Sequence, residues 1–245
     1  MTRTIAQDEK FCVVVPIYNE SGNILPTIER VNNTLNISGL NADILCINDG
    51  SRDDTERELV EAQNRWTNVI VKTHESNMGF GAARWTGMKA ARARGYSYIV
   101  FIDADLTMDP QYIIKFHEKM VDGFDFVTGS RFVYGGGMEN VPWHRKAVSV
   151  VGNTILRRCF RLRINDYSQG FRAIRMGLIK QFCLTEKGFP VLVEELYQAK
   201  CLTSKFAEVP FVLTTREAGV SKFSYTPIVI LKYLFYAGKA LVAGF

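Results

Sequence analysis

Histidine is nearly absent from this 245-residue chain: His74, His117 and His144 stand far apart in sequence, so a histidine-based metal cluster has little to build from. The five cysteines, Cys12, Cys46, Cys159, Cys183 and Cys201, are odd in number, widely spaced and never arranged as C-x-x-C, which argues against a disulfide framework or a zinc knuckle. Set among apolar neighbours, they are expected to be reduced core residues. No stretch reaches the roughly 18 uninterrupted apolar residues of a spanning helix. The segment Met1–Lys10 is polar and lacks the apolar core of a signal peptide, so a cytoplasmic protein is expected. Charge of one sign is scarce as well. Thirty basic residues against 25 acidic ones leave +5, an excess that suits an anionic ligand or acidic membrane surface but does not announce nucleic-acid binding. With 47% hydrophobic and 22% charged residues, disordered, collagen-like and low-complexity readings are excluded.

What is present is an alternation. Phe11–Val15, Ala42–Asn48, Val69–Lys72, Tyr98–Asp103 and Asp125–Gly129 are short apolar runs bounded by Gly, Pro, Asn or Asp, and they predict buried strands. Between them, Asn23–Asn36, Asp54–Arg65, Gly81–Arg94 and Pro110–Val121 carry helical spacing, with Pro26 and Pro110 in first-turn positions and Gly95 and Gly123 just past the ends. The repeated β-α unit predicts an α/β fold with a mostly parallel sheet and helices on both faces. After about residue 130 the pattern changes to a loop with Gly135, Gly136 and Gly137, a basic helical stretch from His144 to Arg163, and mixed elements. No Pro/Ser linker or internal repeat interrupts the chain, so a single domain over residues 8–225 is expected. Residues 226–245 are strongly apolar and aromatic, broken only by Lys232 and Lys239. They read as a C-terminal core helix or, preferably, as an amphipathic helix at a membrane interface.

Ligands of open parallel sheets bind at the carboxyl ends of the strands, and the residues there are rich in chemistry. Strand one runs into Pro16-Ile17-Tyr18-Asn19-Glu20, strand two into Asn48-Asp49-Gly50-Ser51, and the fourth into Asp103-Ala104-Asp105. Asp103 and Asp105 lie two apart at a strand end, where both carboxylates can approach one point. Such a pair repels unless protonated or bridged by a cation, and oxygen ligands suit Mg²⁺ or Mn²⁺ with positions left for phosphate oxygens. Asp49 is placed to hydrogen-bond a base or ribose, with Tyr18 or Pro16 packing on the base. Asp53 and Asp54 read as helix-capping residues. Gly79-Phe80-Gly81 is no dinucleotide fingerprint, because Arg84 replaces its third glycine.

Taken in order and spacing, P-I-Y-N-E, N-D-G-S-R-D-D-T, N-M-G-F-G-A-A-R, D-A-D-L and G-S-R resemble the family 2 glycosyltransferases, whose nucleotide-sugar-binding fold is called GT-A. The match runs roughly from residue 10 to 225. Gly129–Phe132, Arg145–Ser149, Asp166–Ala173 and Arg216–Phe223 resemble, within that family, the polyprenyl-phosphate (dolichyl-phosphate) mannosyl- and glucosyltransferases. The resemblance implies that Pro16, Tyr18, Glu20 and Asp49 hold the nucleoside, and that Asp103 and Asp105 hold the metal and donor diphosphate. It further implies that Arg131, Arg145 and Ser149 bind the acceptor phosphate, with Arg216 and Lys222 near the phosphates. Two positions depart from the pattern: Thr107 stands where many relatives carry a metal-binding Gln, and Gln169 where the mannosyltransferases usually show Ser-Gly.

The implied reaction is inverting transfer of a hexose from a GDP- or UDP-sugar to a polyprenyl phosphate at the cytosolic face of a membrane, by a protein peripheral to or anchored at it. Asp105, Arg131 and Arg145 are then the residues expected to carry catalysis. Two rivals remain. A sugar-hydroxyl acceptor would need a base, for which Glu194 or Glu195 is the candidate, although helix-surface carboxylates are the simpler reading of both. A non-catalytic sugar-nucleotide-binding membrane subunit would have no need of the carboxylate pair. A nucleotidyltransferase is weaker still, since no Gly-rich phosphate loop follows the first strand.

Overall fold

In the first strand Phe11, Val13, Val15 and Ile17 point to one side and Cys12 and Val14 to the other, and all are buried. A strand with apolar side chains on both faces must be covered on both. The computed structural model describes residues 9–216 and 226–243, and it meets that demand with two hydrophobic clusters, one on each side of the sheet.

The chain runs through β1 (Phe11–Ile17), α1 (Ile24–Ser38), β2 (Ala42–Asn48), α2 (Thr55–Arg65), β3 (Val69–Thr73), α3 (Phe80–Ala93), β4 (Tyr98–Phe101), α4 (Tyr112–Val121) and β5 (Phe126–Ser130). There follow β6 (Gly137–Met138), α5 (Trp143–Phe160), β7 (Arg172–Arg175), α6 (Met176–Ile179), α7 (Val191–Lys200), β8 (Phe206–Pro210), β9 (Val212–Leu213) and α8 (Pro227–Val242). Seven strands form one sheet in the order β3-β2-β1-β4-β7-β5-β8, while β6 and β9 pair separately. Helices α1, α2 and α4 cover one face. Helices α3, α5, α6, α7 and α8 contribute to the cluster on the other.

The expected parallel β-α architecture is present, and the strand and helix order of the first half agrees with the periodicity. The fourth strand ends at Phe101 rather than Asp103, which releases Asp103 from the ladder. The second half holds what the pattern did not spell out: β7 is inserted antiparallel between β4 and β5, with Phe101 opposite Arg172. An antiparallel strand starts at the edge where its parallel neighbours finish. The residues just before β7, Asp166 to Phe171, are thereby delivered to the carboxyl edge.

Two expectations need correction. Only Cys12 and Cys46 are core residues; Cys159 is half-buried and Cys183 and Cys201 are exposed, because they fall on helix C-terminal turns and a loop rather than on sheet faces. The two core thiols are inert, and burial pushes that of Cys46 up to about 12. Helix α8 combines both readings of the C-terminal segment. Tyr236, Ala237 and Ala240 pack into the core, whereas Ile228, Ile230, Leu231, Leu234, Phe235, Leu241 and Val242 are exposed. No helix among the described residues is long and apolar enough to cross a membrane.

Candidate active site

The turns after β1 and β2 are laced together. The Asn19 amide donates to Ser51 Oγ (2.9 Å), the Arg52 amide to Asn19 Oδ1 (2.8 Å) and the Glu20 amide to Thr55 Oγ1 (2.9 Å). Asn19 sits in the left-handed region at φ 49°, a conformation asparagine tolerates better than most residues. Gly50, at φ +67°, is required twice over, since a Cβ there would lie 2.4 Å from the Ser76 backbone. Asp49 is buried and heavily used: Oδ1 accepts from the Met78 amide (2.9 Å) and from His74 Nδ1 (2.7 Å), and Oδ2 from the Gly79 amide (2.8 Å). His74 in turn meets Thr86 Oγ1 through Nε2 at 3.0 Å. Asp49 lines the cavity and at the same time fixes the 74–79 loop beside it.

The third turn carries Asp103 and Asp105 at the floor of the cavity. Asp105 is buried, and its Oδ1 accepts from the Thr107 amide (3.1 Å) and hydroxyl (2.7 Å). Leu106 between them adopts φ 59°, a backbone state that costs on the order of 1–3 kcal/mol and needs surrounding structure to hold it. Desolvation first, and the charge of Asp105 second, push the Asp103 carboxyl up to about 7, with Arg84 and Arg216 acting in the opposite sense. A cation already answers this negative potential: Arg216 places Nη2 2.7 Å from Asp105 Oδ2 and Nη1 3.3 Å from Glu20 Oε1. An all-oxygen donor set that raises the proton affinity of one member and attracts a guanidinium is chemically suited to a hard divalent cation. Thr107, standing in place of the expected Gln, holds Asp105 in orientation.

Elsewhere in the cavity lining, Arg131 Nε and Nη2 form a two-pronged ion pair with Asp166 (2.7 and 2.9 Å), and Nη2 also meets Ser168 Oγ at 2.9 Å. Asp166 is buried, so the guanidinium is locked in place. Arg145 is exposed on the first turns of α5, Ser149 lies one turn on, and Gln169 is buried with Oε1 accepting the Gly170 amide at 3.1 Å. Pro16, Tyr18, Glu20, Asp49, Asp103, Asp105, Arg131, Arg145, Ser149, Gln169 and Arg216 all line one cavity of about 1310 Å³. Lys222 lies outside the described residues. The far wall is apolar and was not foreseen: Val148, Val151 and Ile155 of α5 face Val229, Ile230, Tyr233 and Leu234 of α8.

Glu194 and Glu195 are not the helix-surface carboxylates expected. Both are buried. Glu195 receives Arg84 through Nε and Nη2 (both 2.8 Å) and Arg172 through Nη1 (2.9 Å). Glu194 accepts from the amides of Thr185 and Glu186 and from the Thr185 hydroxyl. The sequence signal was two carboxylates inside the apolar run V-L-V-E-E-L, where charge has to be paired to be buried. Arg84, stacked 3.6 Å over Phe101 and donating to the Gly170 carbonyl, is the residue sequence reasoning passed over. Among the described residues no three or more His, Cys, Asp or Glu side chains are already arranged around one point as a metal site, so the carboxylate pair would have to be completed by oxygens of the ligand.

A mostly parallel sheet whose carboxyl edge gathers acidic turns, fixed arginines and a deep cavity is the anatomy of an enzyme acting on nucleotide-activated groups. Comparison with known proteins makes this specific. The profile of Glycosyl transferase family 2 matches residues 12–183, and the chain belongs to that family. It is 32% identical over 227 residues to the polyprenol monophosphomannose synthase of Mycolicibacterium smegmatis, covering 90% of this chain and 83% of that protein. It is 35% identical over 218 residues to the dolichol-phosphate mannosyltransferase of Pyrococcus furiosus, covering 87% of this chain but 59% of that longer protein. In fold it resembles glucosyl-3-phosphoglycerate synthase from Mycobacterium tuberculosis, crystallised with phosphoglyceric acid, at a TM-score of 0.70 with 20% identity, over 94% of this chain and 81% of that one. A second crystal structure of that synthase holds Mn²⁺, uridine diphosphate and phosphoglyceric acid (TM-score 0.67, 20% identity, 94% and 79% covered).

Proposed function

We propose that this glycosyltransferase moves a hexose from a nucleotide sugar of the GDP-mannose or UDP-glucose type onto a polyprenyl phosphate, with inversion at the anomeric carbon. The observation that carries the reading is the single cavity, which joins the carboxylate floor, the two arginines Arg131 and Arg145, and an apolar wall of α5 and α8. The names of the relatives point to the same acceptor class.

In this reading Pro16, Tyr18 and Glu20 flank the nucleoside, and Asp49 shapes the neighbouring loop. Asp103 and Asp105 would hold Mg²⁺ or Mn²⁺, which neutralises charge on the departing nucleoside diphosphate. Arg216, now on Asp105 and Glu20, is within reach of the same diphosphate, and Lys222 of the same basic motif is assigned with it. Arg131 and Arg145, with Ser149, orient the acceptor phosphate, which is ionised at neutral pH and needs no base to become a nucleophile. Gln169 closes the cavity beside Asp103. The placement of Glu194 and Glu195 favours this acceptor over a sugar hydroxyl: each carboxylate is engaged in the protein's own hydrogen bonds, and neither lines the cavity.

The exposed apolar face of α8 supports seating of the protein on a membrane surface, where such an acceptor resides. The deciding experiment offers detergent-dispersed polyprenyl phosphate with a panel of nucleotide sugars and Mn²⁺, and follows lipid-linked hexose. Transfer should fall by on the order of a thousandfold in Asp105→Ala and by at least about tenfold in Arg145→Ala, with melting temperatures unchanged. Full turnover in Asp105→Ala, or transfer only to sugar hydroxyls, would overturn the proposal.

A further inference from the structure

Gln169 brings a neutral carboxamide to a site otherwise built from charge. It is only 5% exposed, yet it lines the cavity. Its Oε1 accepts the Gly170 amide at 3.1 Å, and because an N–H can only donate, that bond fixes which end of the side chain is oxygen. The NH₂ end therefore points the other way. Nε2 has no hydrogen-bond partner among the described residues, and it does not belong to the unpartnered polar atoms that are sealed from solvent, so it opens into the cavity. Phe80 and Phe189, stacked with ring centroids 4.7 Å apart, line the same cavity. In such an apolar wall a donor is costly to leave unpaired.

The neighbours of Gln169 in the chain say what the donor faces. On one side, Ser168 Oγ meets Nη2 of Arg131 at 2.9 Å, the guanidinium assigned to the acceptor phosphate. On the other, Gly170 stands beside the metal carboxylates: a Cβ there would lie 3.7 Å from Asp103 Oδ1 and 3.7 Å from Phe80 Cζ. Arg84 Nη1 holds the Gly170 carbonyl at 3.0 Å, and Arg84 is itself held by the buried Glu195, so the segment has rigid support. Gln169 is thus set between the two poles that the transferred group has to join. Phosphate oxygens at either pole have a guanidinium or a divalent cation to meet them. What lies between is the hexosyl ring, a neutral body of hydroxyls, and a neutral N–H donor suits a hydroxyl oxygen.

We infer that Gln169 Nε2 donates to one hydroxyl of the hexosyl group of the nucleotide sugar, and that this is the residue by which the cavity selects among hexoses. The inference rests on the donor half of the reading above and not on the identity of the acceptor. A site that hydrogen-bonds a hydroxyl rejects the analogue lacking it, because its own donor is then left buried and unpaired. An epimer that turns this hydroxyl away is rejected for the same reason.

The test is calorimetric binding of UDP, GDP, UDP-glucose and GDP-mannose to the full chain with Mn²⁺, followed by the monodeoxy analogues of whichever sugar nucleotide binds. In wild type the hexosyl group should add affinity over the bare diphosphate, and one monodeoxy analogue should bind about tenfold more weakly than its parent. In Gln169→Met, of similar length but without a donor, the parent should weaken by about the same tenfold, the bare diphosphate should stay within about twofold, and that one analogue should lose nothing further. Gln169→Asn, whose carboxamide is one carbon shorter, should behave in the same way and serves if Gln169→Met does not fold. Equal loss of bare diphosphate and sugar nucleotide would give Nε2 to the diphosphate. A penalty for the missing hydroxyl that persists in the variants would give the hydroxyl to another residue. Either outcome overturns the assignment, as does a wild type that binds the sugar nucleotide no more tightly than its diphosphate. A hexose preference set by Gln169 in a protein that transfers nothing to polyprenyl phosphate would sink the acceptor reading and leave this subsite standing. Failure of every one of these nucleotides to bind would end both.

Discussion

A carboxyl group whose proton is held more tightly than usual must release it before it can take a metal. Asp103 is in that position: burial and Asp105 push it up to about 7 from an ordinary value near 4. Between those values the metal-free native state binds more protons than the unfolded chain, so this group's contribution to stability falls as pH rises through the interval and levels off above it. Metal binding is linked in the opposite direction, because the cation displaces the proton. Mn²⁺ affinity, measured by calorimetry on the metal-free protein, should therefore rise about tenfold between roughly pH 6 and pH 8. In Asp103→Asn most of that pH dependence should vanish. Arg216 competes for the same oxygen of Asp105, so Arg216→Gln should bind Mn²⁺ more tightly than wild type when no nucleotide is present. Unchanged affinity would remove the competition from the account.

At the scale of elements, two contacts decide how the cavity is built. The buried Arg84–Glu195–Arg172 cluster ties α3, α7 and β7 together behind Asp103. Replacing one partner of such a cluster leaves a charge uncompensated, and Glu195→Gln should cost on the order of 3–5 kcal/mol in urea unfolding. The second contact is the approach of α3 to the sheet. A Cβ on Gly87 would stand 2.5 Å from Val14 Cγ1, so Gly87→Ala forces the helix outward at a cost of about 1–3 kcal/mol, although alanine is the better helix former. A gain in stability in that variant would show that the close approach is dispensable. The N-terminus of α3 is pinned equally closely, with the Gly81 amide 2.7 Å from the Lys187 carbonyl. Displacement of α3 would thus reach the Met78–Gly79 amides that Asp49 holds.

For the whole molecule, the question is how a chain with no spanning helix among its described residues meets a lipid-borne acceptor. Under the proposed function helix α8 would answer it, since it is apolar on two faces: one side fills the core, and the other is left in the open. The ammonium of Lys200, buried against the Ala240 carbonyl, and the Lys232–Glu186 ion pair fasten the helix to the body. Exchanging Ile228, Leu231 and Val242 for serine removes outward-facing apolar surface alone. Vesicle affinity should drop on the order of a hundredfold, with thermal stability unchanged or raised. Equal sedimentation of the variant and wild type would show that the exposed face does not carry membrane seating.

The parallel sheet and the acidic turns were legible in the sequence because both are local. Strand length, period and the Gly, Asn and Asp that end each run are set by residues a few positions apart, and the rule that ligands meet such sheets at their carboxyl edge does the rest. What depended on residues far apart was not legible. The antiparallel entry of β7, which brings Asp166, Gln169 and Gly170 to the site, depends on pairing across more than 70 positions. The burial of Glu194 and Glu195, the locking of Arg131 by Asp166 and the cation substitute at Asp105 depend on which opposite charge the fold brings near, and the chain alone does not name that partner. Composition and periodicity determined that there would be a sheet with an acidic rim; only tertiary packing decided which of its charges are spoken for, since desolvation and pairing exist only once distant segments have closed around them.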